Sequence, residues 1–317
     1  LSEPYEIGGQ NVSIGASVGI MLINDAACDA DRLLMFADMA LYRAKQEGRG
    51  RHSFFEPEMD QRMQARRRNE LELRAALERS DFAVTYQPLV NPRARRVSGV
   101  AAALHWKHPE RGMVPASEFS ALLGELGLSG RIVEWTLHRV CLDLQTWPEC
   151  PKAAVDISAA LPRSGPQVSD WVASALRRTG LAPERLELEV DESALLAHPA
   201  NANSALHACK ALGVRLTLAS IGSTHSGLGY LRRFPFDKVK IERTTQQETE
   251  VRAHSQAIVR AMTVLCEELG IVVGAEGIDT ESQFAALQAG EHMEVQGALF
   301  GEHRAPEDMA SVFGPLR

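Results

Sequence analysis

No run of the 317 residues approaches the roughly 18 consecutive apolar positions that a membrane-spanning helix needs. The N-terminus also lacks the basic and apolar regions of a secretory signal. These two absences predict a soluble, cytoplasmic chain with no membrane segment. Residue 1 opens in mid-pattern, which leaves room for sensory or membrane segments ahead of it in a longer gene product. An excess of basic charge is missing too. The formal net charge is −7, which argues against a general nucleic-acid binder and favours a protein kept from self-association by its own charge. Paired cysteines are absent: Cys28, Cys141, Cys150, Cys209 and Cys266 are an odd, scattered set with no C-x-x-C spacing. That excludes a disulfide framework and predicts buried apolar thiols in a reducing compartment. What remains is ordinary for a globular protein, 45% hydrophobic and 24% charged, with length for about two domains and an ample core.

Three regions follow from the pattern: 1–56, a connector at 57–80, and 81–317. Alternating apolar residues flank Gly8-Gly9 and predict a β-hairpin, with Tyr5–Ile7 as one arm and Val12–Ile20 as the other. From Asp31 to Lys45, Leu33, Leu34, Ala37, Ala40, Leu41 and Ala44 recur at helical spacing, and Gly48 follows as a stop. Pro57 to Arg79 is dense in charge, has no Gly or Pro after Pro57, and brings in Leu71, Leu73 and Leu77 toward its end. It predicts an exposed, semi-rigid helix able to pass motion between its neighbours. Arg66-Arg67-Arg68 could form a phosphate-binding patch, but the glutamates that follow favour a solvated helix face.

Beyond Asp81 short apolar runs appear at Phe82–Tyr86, Ala153–Ile157, Leu186–Val190, Arg215–Leu218, Lys238–Ile241, Ile271–Ala275 and Met293–Val295. Longer segments with helical spacing, such as Ile132–Leu144 and Gln256–Leu269, lie between them. The cadence predicts an α/β fold, a (β/α)8 TIM-like barrel. Asp156, Glu189, Lys240, Glu276 and Gln296 each fall at the C-terminal end of a predicted strand, the face where such barrels carry their chemistry.

Particular motifs add a resemblance. Ala37-Asp38-Met39-Ala40-Leu41-Tyr42-Arg43-Ala44-Lys45-Gln46-Glu47-Gly48-Arg49 is similar to the segment that closes GGDEF (diguanylate cyclase) domains, a partial α+β unit here without the G-G-D-E-F signature. Lys45 and Arg49 match family positions near the nucleotide phosphates and read here as solvated helix-end cations. Tyr86-Gln87-Pro88-Leu89, Gly99 to Trp106, Gly112 to Phe119, Val155-Asp156-Ile157-Ser158, Leu188-Glu189-Val190-Asp191-Glu192-Ser193, Asp237 to Arg243, Ala275-Glu276-Gly277 and Gln296-Gly297-Ala298-Leu299-Phe300 resemble, in order, the motifs of EAL-type cyclic di-GMP phosphodiesterases. Leu218 to Leu231 has the outline of that family's L-D-D-F-G-T-G loop.

The resemblance implies a pair of Mg²⁺ or Mn²⁺ ions, held at positions that are here Ala101, Asp156, Glu189, Ala219 and Glu276, with Ser220 where a second aspartate would complete the other metal's ligand set. A methyl cannot ligate a metal, and a neutral hydroxyl replaces a carboxylate poorly on hard cations. The expectation is therefore no metal cofactor and no phosphodiesterase activity, because metal and metal-bound hydroxide carry that hydrolysis. Gln87, Glu189, Lys240, Glu276, Gln296 and Gly297 are the candidate contacts for cyclic di-GMP. Against binding, His105 stands where the family has the arginine of L-L-R-W, without its bidentate fork, and His303 stands in place of a proline. Only Gly222 of the D-F-G-T-G core survives, and three acids would face a dianionic ligand. The favoured reading is an inactive GGDEF-EAL signalling protein that works through protein partners, its mouth acids solvated and partly neutralised by Lys240. A non-hydrolytic cyclic di-GMP receptor comes second and an active phosphodiesterase third. A homodimer through the barrel near Ser220 to Tyr230 is a further expectation of the resemblance.

Overall fold

The computed structural model describes residues 5–7, 10–12, 14–23, 29–46, 48–221, 231, 233–242, 263–285, 287 and 293–313. The chain separates into two compact units, Leu1–Ala75 and Ala76–Arg317. Cys28 and residues 222–230, on which the dimer expectation falls, lie outside the described residues.

In the first unit, β1 (Tyr5–Ile7) and β2 (Gln10–Val12) pair antiparallel around Gly8-Gly9, with Tyr5 opposite Val12. The second arm is shorter than its alternation suggested. Residues 14–17 are not strand, and β3 (Val18–Ile20) pairs instead in parallel with β4 (His52–Phe54) in a separate sheet. Alternation reports that a segment is extended but not which partner it takes, and here the partner lies beyond a helix. That helix, α1 (Ala30–Gln46), packs on the strand pair with Ala40 and Ala44 fully buried. A Cβ at Gly19 would overlap the backbone of Ala37 and Leu41, so the glycine is what lets β3 touch α1.

The connector is helical over Pro57–Arg79 (α2), as its lack of breakers predicted. Arg66 is drawn in, its guanidinium 5.8 Å from the Tyr42 ring centre and 3.6 Å from Glu70, while Arg67 and Arg68 stay exposed. The expectation of a helix exposed along its length needs correction. Leu73 and Ala76 are fully buried, three residues apart on one face, whereas Leu71 is 64% exposed.

The second unit is a closed eight-stranded barrel. Its strands are β5 (Phe82–Asn91), β6 (Arg96–His108), β8 (Ala153–Asp156), β9 (Leu186–Asp191), β10 (Arg215–Ile221), β11 (Lys238–Glu242), β12 (Val272–Glu276) and β13 (Met293–Val295), and β7 (Gly112–Pro115) extends the sheet from β6. Pairing of β5 with both β13 and β6 closes the ring, and β5 runs antiparallel to each. The apolar runs read from the sequence include none at 96–108, yet β6 stands between β5 and β8 in the ring, so the barrel opens with a hairpin and not with a crossover helix. Only residues 92–95 join β5 to β6, too few for a crossover helix but enough for a turn, in which Asn91 Oδ1 accepts from the Ala94 N–H at 2.9 Å. Of the expected Gln256–Leu269 helix, residues from 263 on are described and are helical to 268.

Two short helices, α3 (Ser120–Glu125) and α6 (Glu192–Ala197), and three long ones, α4 (Ser129–Thr146), α5 (Leu161–Thr179) and α7 (Pro199–Ala211), accompany the barrel strands. The outward side chains of β5 anchor part of that shell. Tyr86 is fully buried, its hydroxyl donates to Asp143 Oδ2 at 2.6 Å, and its ring meets Trp147 edge-on at 4.8 Å. Cys141, Cys150, Cys209 and Cys266 are buried free thiols, and burial pushes the first three up to about 12.

Inside the barrel, below the mouth, four charged side chains form a closed network. Lys152 Nζ lies 2.5 Å from Glu187 and 2.9 Å from Glu294, and Lys238 Nζ pairs with Glu187 and lies 3.0 Å from Glu294. Thr217 donates to Glu187 Oε1 at 2.8 Å. All five residues are buried. Burial by itself would raise the carboxyls of Glu187 and Glu294, but Lys238 and Lys152 outweigh it and hold both below the ordinary range. Two charges of each sign thus form the floor on which the mouth rests.

Candidate functional site: the barrel mouth

Side chains alternate along a strand, so the strands that turn Glu187 and Lys238 inward also turn Glu189 and Lys240 inward, one layer nearer the C-terminal ends. Lys240 Nζ lies 3.1 Å from both carboxylate oxygens of Glu189 and 3.1 Å from Glu276 Oε2. Burial would lower this lysine's pKa, but the two carboxylates outweigh it and raise the value, so the ammonium is fixed as their shared counter-ion. Asp156 ends β8 opposite Glu189 and accepts from the Ser158 N–H at 2.8 Å. Its carboxyl keeps an exposed edge, yet the surrounding protein strips enough solvent to raise its pKa. Ser158 opposes that shift, and the charges of Glu189 and Asp191 add to it. The Ser158 hydroxyl meanwhile accepts from the Asp191 N–H, and Asp191 caps the short helix Glu192–Ala197 through Ala194 N at 2.7 Å.

The opposite side of the mouth is apolar. Ala101 pairs with Gln87 across β5 and β6, stands beside Ala154 on β8, and is buried with Ala154 and Leu89 in one hydrophobic cluster. Ala219, half-buried on β10, is level with Asp191. The Ser220 side chain lies outside the described residues. Above the cluster, Gln296 Nε2 donates to Gln87 Oε1 at 2.8 Å, and Gln87 Nε2 donates to the Gly301 carbonyl at 3.0 Å. The Gln296 side-chain oxygen is buried without a partner among the described residues.

Gly297, a candidate ligand contact on sequence grounds, has a structural task. Its φ of +156° is rare for other residues, and an added Cβ would collide with the backbone of Ile278. Replacing Gly297 by Ala should destabilise the barrel by roughly 1–3 kcal/mol, since strain of that order accompanies such backbone positions. Urea unfolding of the variant checks this. A third corner holds two histidines. Thr85 Oγ1 lies 3.4 Å from Nδ1 of both His105 and His303, whose ring centres are 6.5 Å apart. Burial, and then His105, lower the pKa of His303.

The sequence-derived candidates therefore converge in two groups. Glu189, Lys240 and Glu276 form one, Gln87 and Gln296 the other, and Gly297 serves the turn that follows. Sequence reading missed Lys152, Glu187, Lys238 and Glu294. The signal was present in part, because Glu187 and Lys238 each precede a recognised residue by two positions and so share its face.

The family resemblance implies divalent ions here, and the residues present do not fit them. Two expected carboxylates are methyl groups, one of them in an apolar cluster, so the remaining acids cannot complete two shells. Among the described residues no three His, Cys, Asp or Glu side chains are grouped as metal ligands.

Comparison with known proteins places this geometry. Residues 70–303 match the model of the EAL domain, and residues 1–51 match that of the diguanylate cyclase GGDEF domain. An uncharacterised signalling protein of Caulobacter vibrioides is 38% identical over 99% of this chain and 38% of its own length. MucR of Pseudomonas aeruginosa, a bifunctional diguanylate cyclase/cyclic di-GMP phosphodiesterase, is 34% identical over 98% of this chain and 46% of its own. The chain thus spans less than half the length of either relative. Among solved structures, the PaMucR phosphodiesterase in complex with c-di-GMP is 32% identical, with a TM-score of 0.70 over 76% of this chain and 99% of that one. The FimX EAL domain of P. aeruginosa bound to c-di-GMP shares the fold at 22% identity, with a TM-score of 0.65 over 74% and 96%. With a closed barrel, a matching model over most of its length and the motif series in order, the chain belongs to the EAL domain family, its barrel preceded by a short GGDEF segment.

Proposed function

We propose that this chain is a catalytically inactive GGDEF-EAL protein of cyclic di-GMP signalling, whose barrel and connector helix act by contacting other proteins. The observation that carries this reading is the charge arrangement of the mouth. Lys240 neutralises Glu189 and Glu276 at 3.1 Å while Ala101 packs against Leu89 and Ala154. Lys240 alone cannot generate a nucleophile from water, and its charge is already shared by two carboxylates. Hydrolysis by MucR belongs to MucR. A second reading, a non-hydrolytic cyclic di-GMP receptor, is favoured by the unpartnered Gln296 oxygen and by the ligand in the PaMucR complex. Calorimetric titration with cyclic di-GMP, with and without Mn²⁺, tests both. No heat in either condition supports the interaction reading. Metal-independent binding moves the assignment to a receptor, and binding that needs Mn²⁺ overturns both.

The interaction reading also makes the connector matter more than the mouth. Ala65→Pro, inside α2, should cost about 3 kcal/mol of helix and kink it. It should abolish a cellular phenotype that Glu189→Gln with Glu276→Gln leaves intact. The reverse pattern would count for the receptor.

A further inference from the structure

On the outside of the barrel lies a groove of about 400 Å³ whose polar side chains serve neither the mouth nor the core. One wall is α4, which presents Arg131, Trp135 and His138 at i, i+4 and i+7 as a single stripe. The second wall is Phe82, at the start of β5. Because alternate residues of β5 face opposite ways, Phe82 points outward while Thr85 and Gln87 point into the barrel, so the strand separates groove from mouth. Arg178, in the last turn of α5, closes the third side.

The chemistry of these residues is that of a receptor for a flat anion. Arg131 and Arg178 are exposed and make no ion pair or hydrogen bond among the described residues, which leaves two guanidinium forks for phosphate oxygens. Trp135 is half-buried, its ring 6.1 Å from that of Phe82, and it offers an aromatic surface for a planar ring. Burial, and then Arg178, lower the pKa of His138, so its imidazole is neutral and can donate or accept. Glu134 adds a carboxylate at the rim suited to an N–H edge rather than to phosphate. The volume suits a ligand of mononucleotide size.

We propose that this groove binds a purine nucleoside monophosphate, its phosphate between Arg131 and Arg178 and its base against Trp135. Leu77 and Ser80, from the end of the connector, also line the groove, so occupancy would bear directly on that helix. The site is independent of the mouth and of the reading given above.

The test is titration of the whole chain with GMP and AMP, followed by tryptophan fluorescence, with inorganic phosphate and guanosine as separate arms. Saturable binding of a monophosphate is expected, weakened on the order of 10-fold or more by Arg178→Ala or Arg131→Ala and partly restored by Arg178→Lys. Arg177→Ala, the same change of charge one residue away and outside the groove, should leave affinity unchanged. Trp135→Leu should weaken the nucleotide but not phosphate. Melting curves of each variant separate loss of contact from loss of fold. No saturable monophosphate binding to low millimolar concentration would overturn the proposal. So would phosphate binding as tightly as the nucleotide, or equal weakening by Arg177→Ala and Arg178→Ala.

Discussion

Replacing Lys238 by Met should lower the stability of the barrel by about 3–5 kcal/mol, because removing one partner of a buried ion pair leaves a charge uncompensated. Lys238 is 2% exposed and serves both Glu187 and Glu294, so its loss leaves two buried carboxylates with Lys152 alone. The pH dependence follows from the directions of the shifts. Glu187 is held below its ordinary range, so its contribution is present above the unfolded carboxyl pKa and is lost only as pH falls through the lower folded value. Lys238 is raised despite burial, chiefly by Glu187 and Glu294, so its contribution is complete below the unfolded lysine pKa and is lost only as pH rises through the higher folded value. Between those limits the network in the native protein adds no pH dependence. In the Lys238→Met variant one carboxylate should take up a proton on folding. The deficit should therefore be largest near pH 8 and shrink toward pH 5, as read from urea midpoints. Adding Glu294→Leu removes one charge of each sign and should recover much of the loss.

Rebuilding the mouth should have the second large effect. Ala101→Glu, Ala219→Asp and Ser220→Asp together restore the carboxylates that the family resemblance places around two divalent ions. Without metal, the carboxylate introduced at position 101 would lie where Ala101 is now 7% exposed beside Leu89 and Ala154, and should cost about 1–3 kcal/mol. With Mn²⁺ the triple variant should regain stability, by about 2.7 kcal/mol at a hundredfold excess over its dissociation constant. The native chain should show no such gain. Thermal melts of both proteins across a Mn²⁺ series measure the difference, and equal stabilisation of the native chain would mean that its remaining acids hold the ion after all.

How much of this was legible in the sequence depended on what each pattern encodes. Strand β13 was read at its observed bounds and β9 to within a residue, because a short apolar run between breakers leaves little freedom. The connector helix was equally plain, since Pro57 opens it and no later Gly or Pro stops it. Pairing was not legible. Neither the separation of Val18–Ile20 from the hairpin nor the antiparallel course of β5 leaves a mark on local alternation, for both depend on partners distant in sequence or on loop length. At the mouth, residue types told which acids survive, but not that Lys240 bridges two of them or that Ala101 sits in an apolar cluster. Gly297 shows the converse: a motif glycine also meets a backbone demand, a positive φ beside Ile278, that the sequence does not display.

On the proposed reading this mouth should not cut its family's substrate. Incubating the purified chain with cyclic di-GMP and Mn²⁺, and following the appearance of linear dinucleotide, tests it most directly. No product should appear above a buffer blank, with or without metal. Metal-dependent turnover that disappears in Glu189→Ala would contradict it.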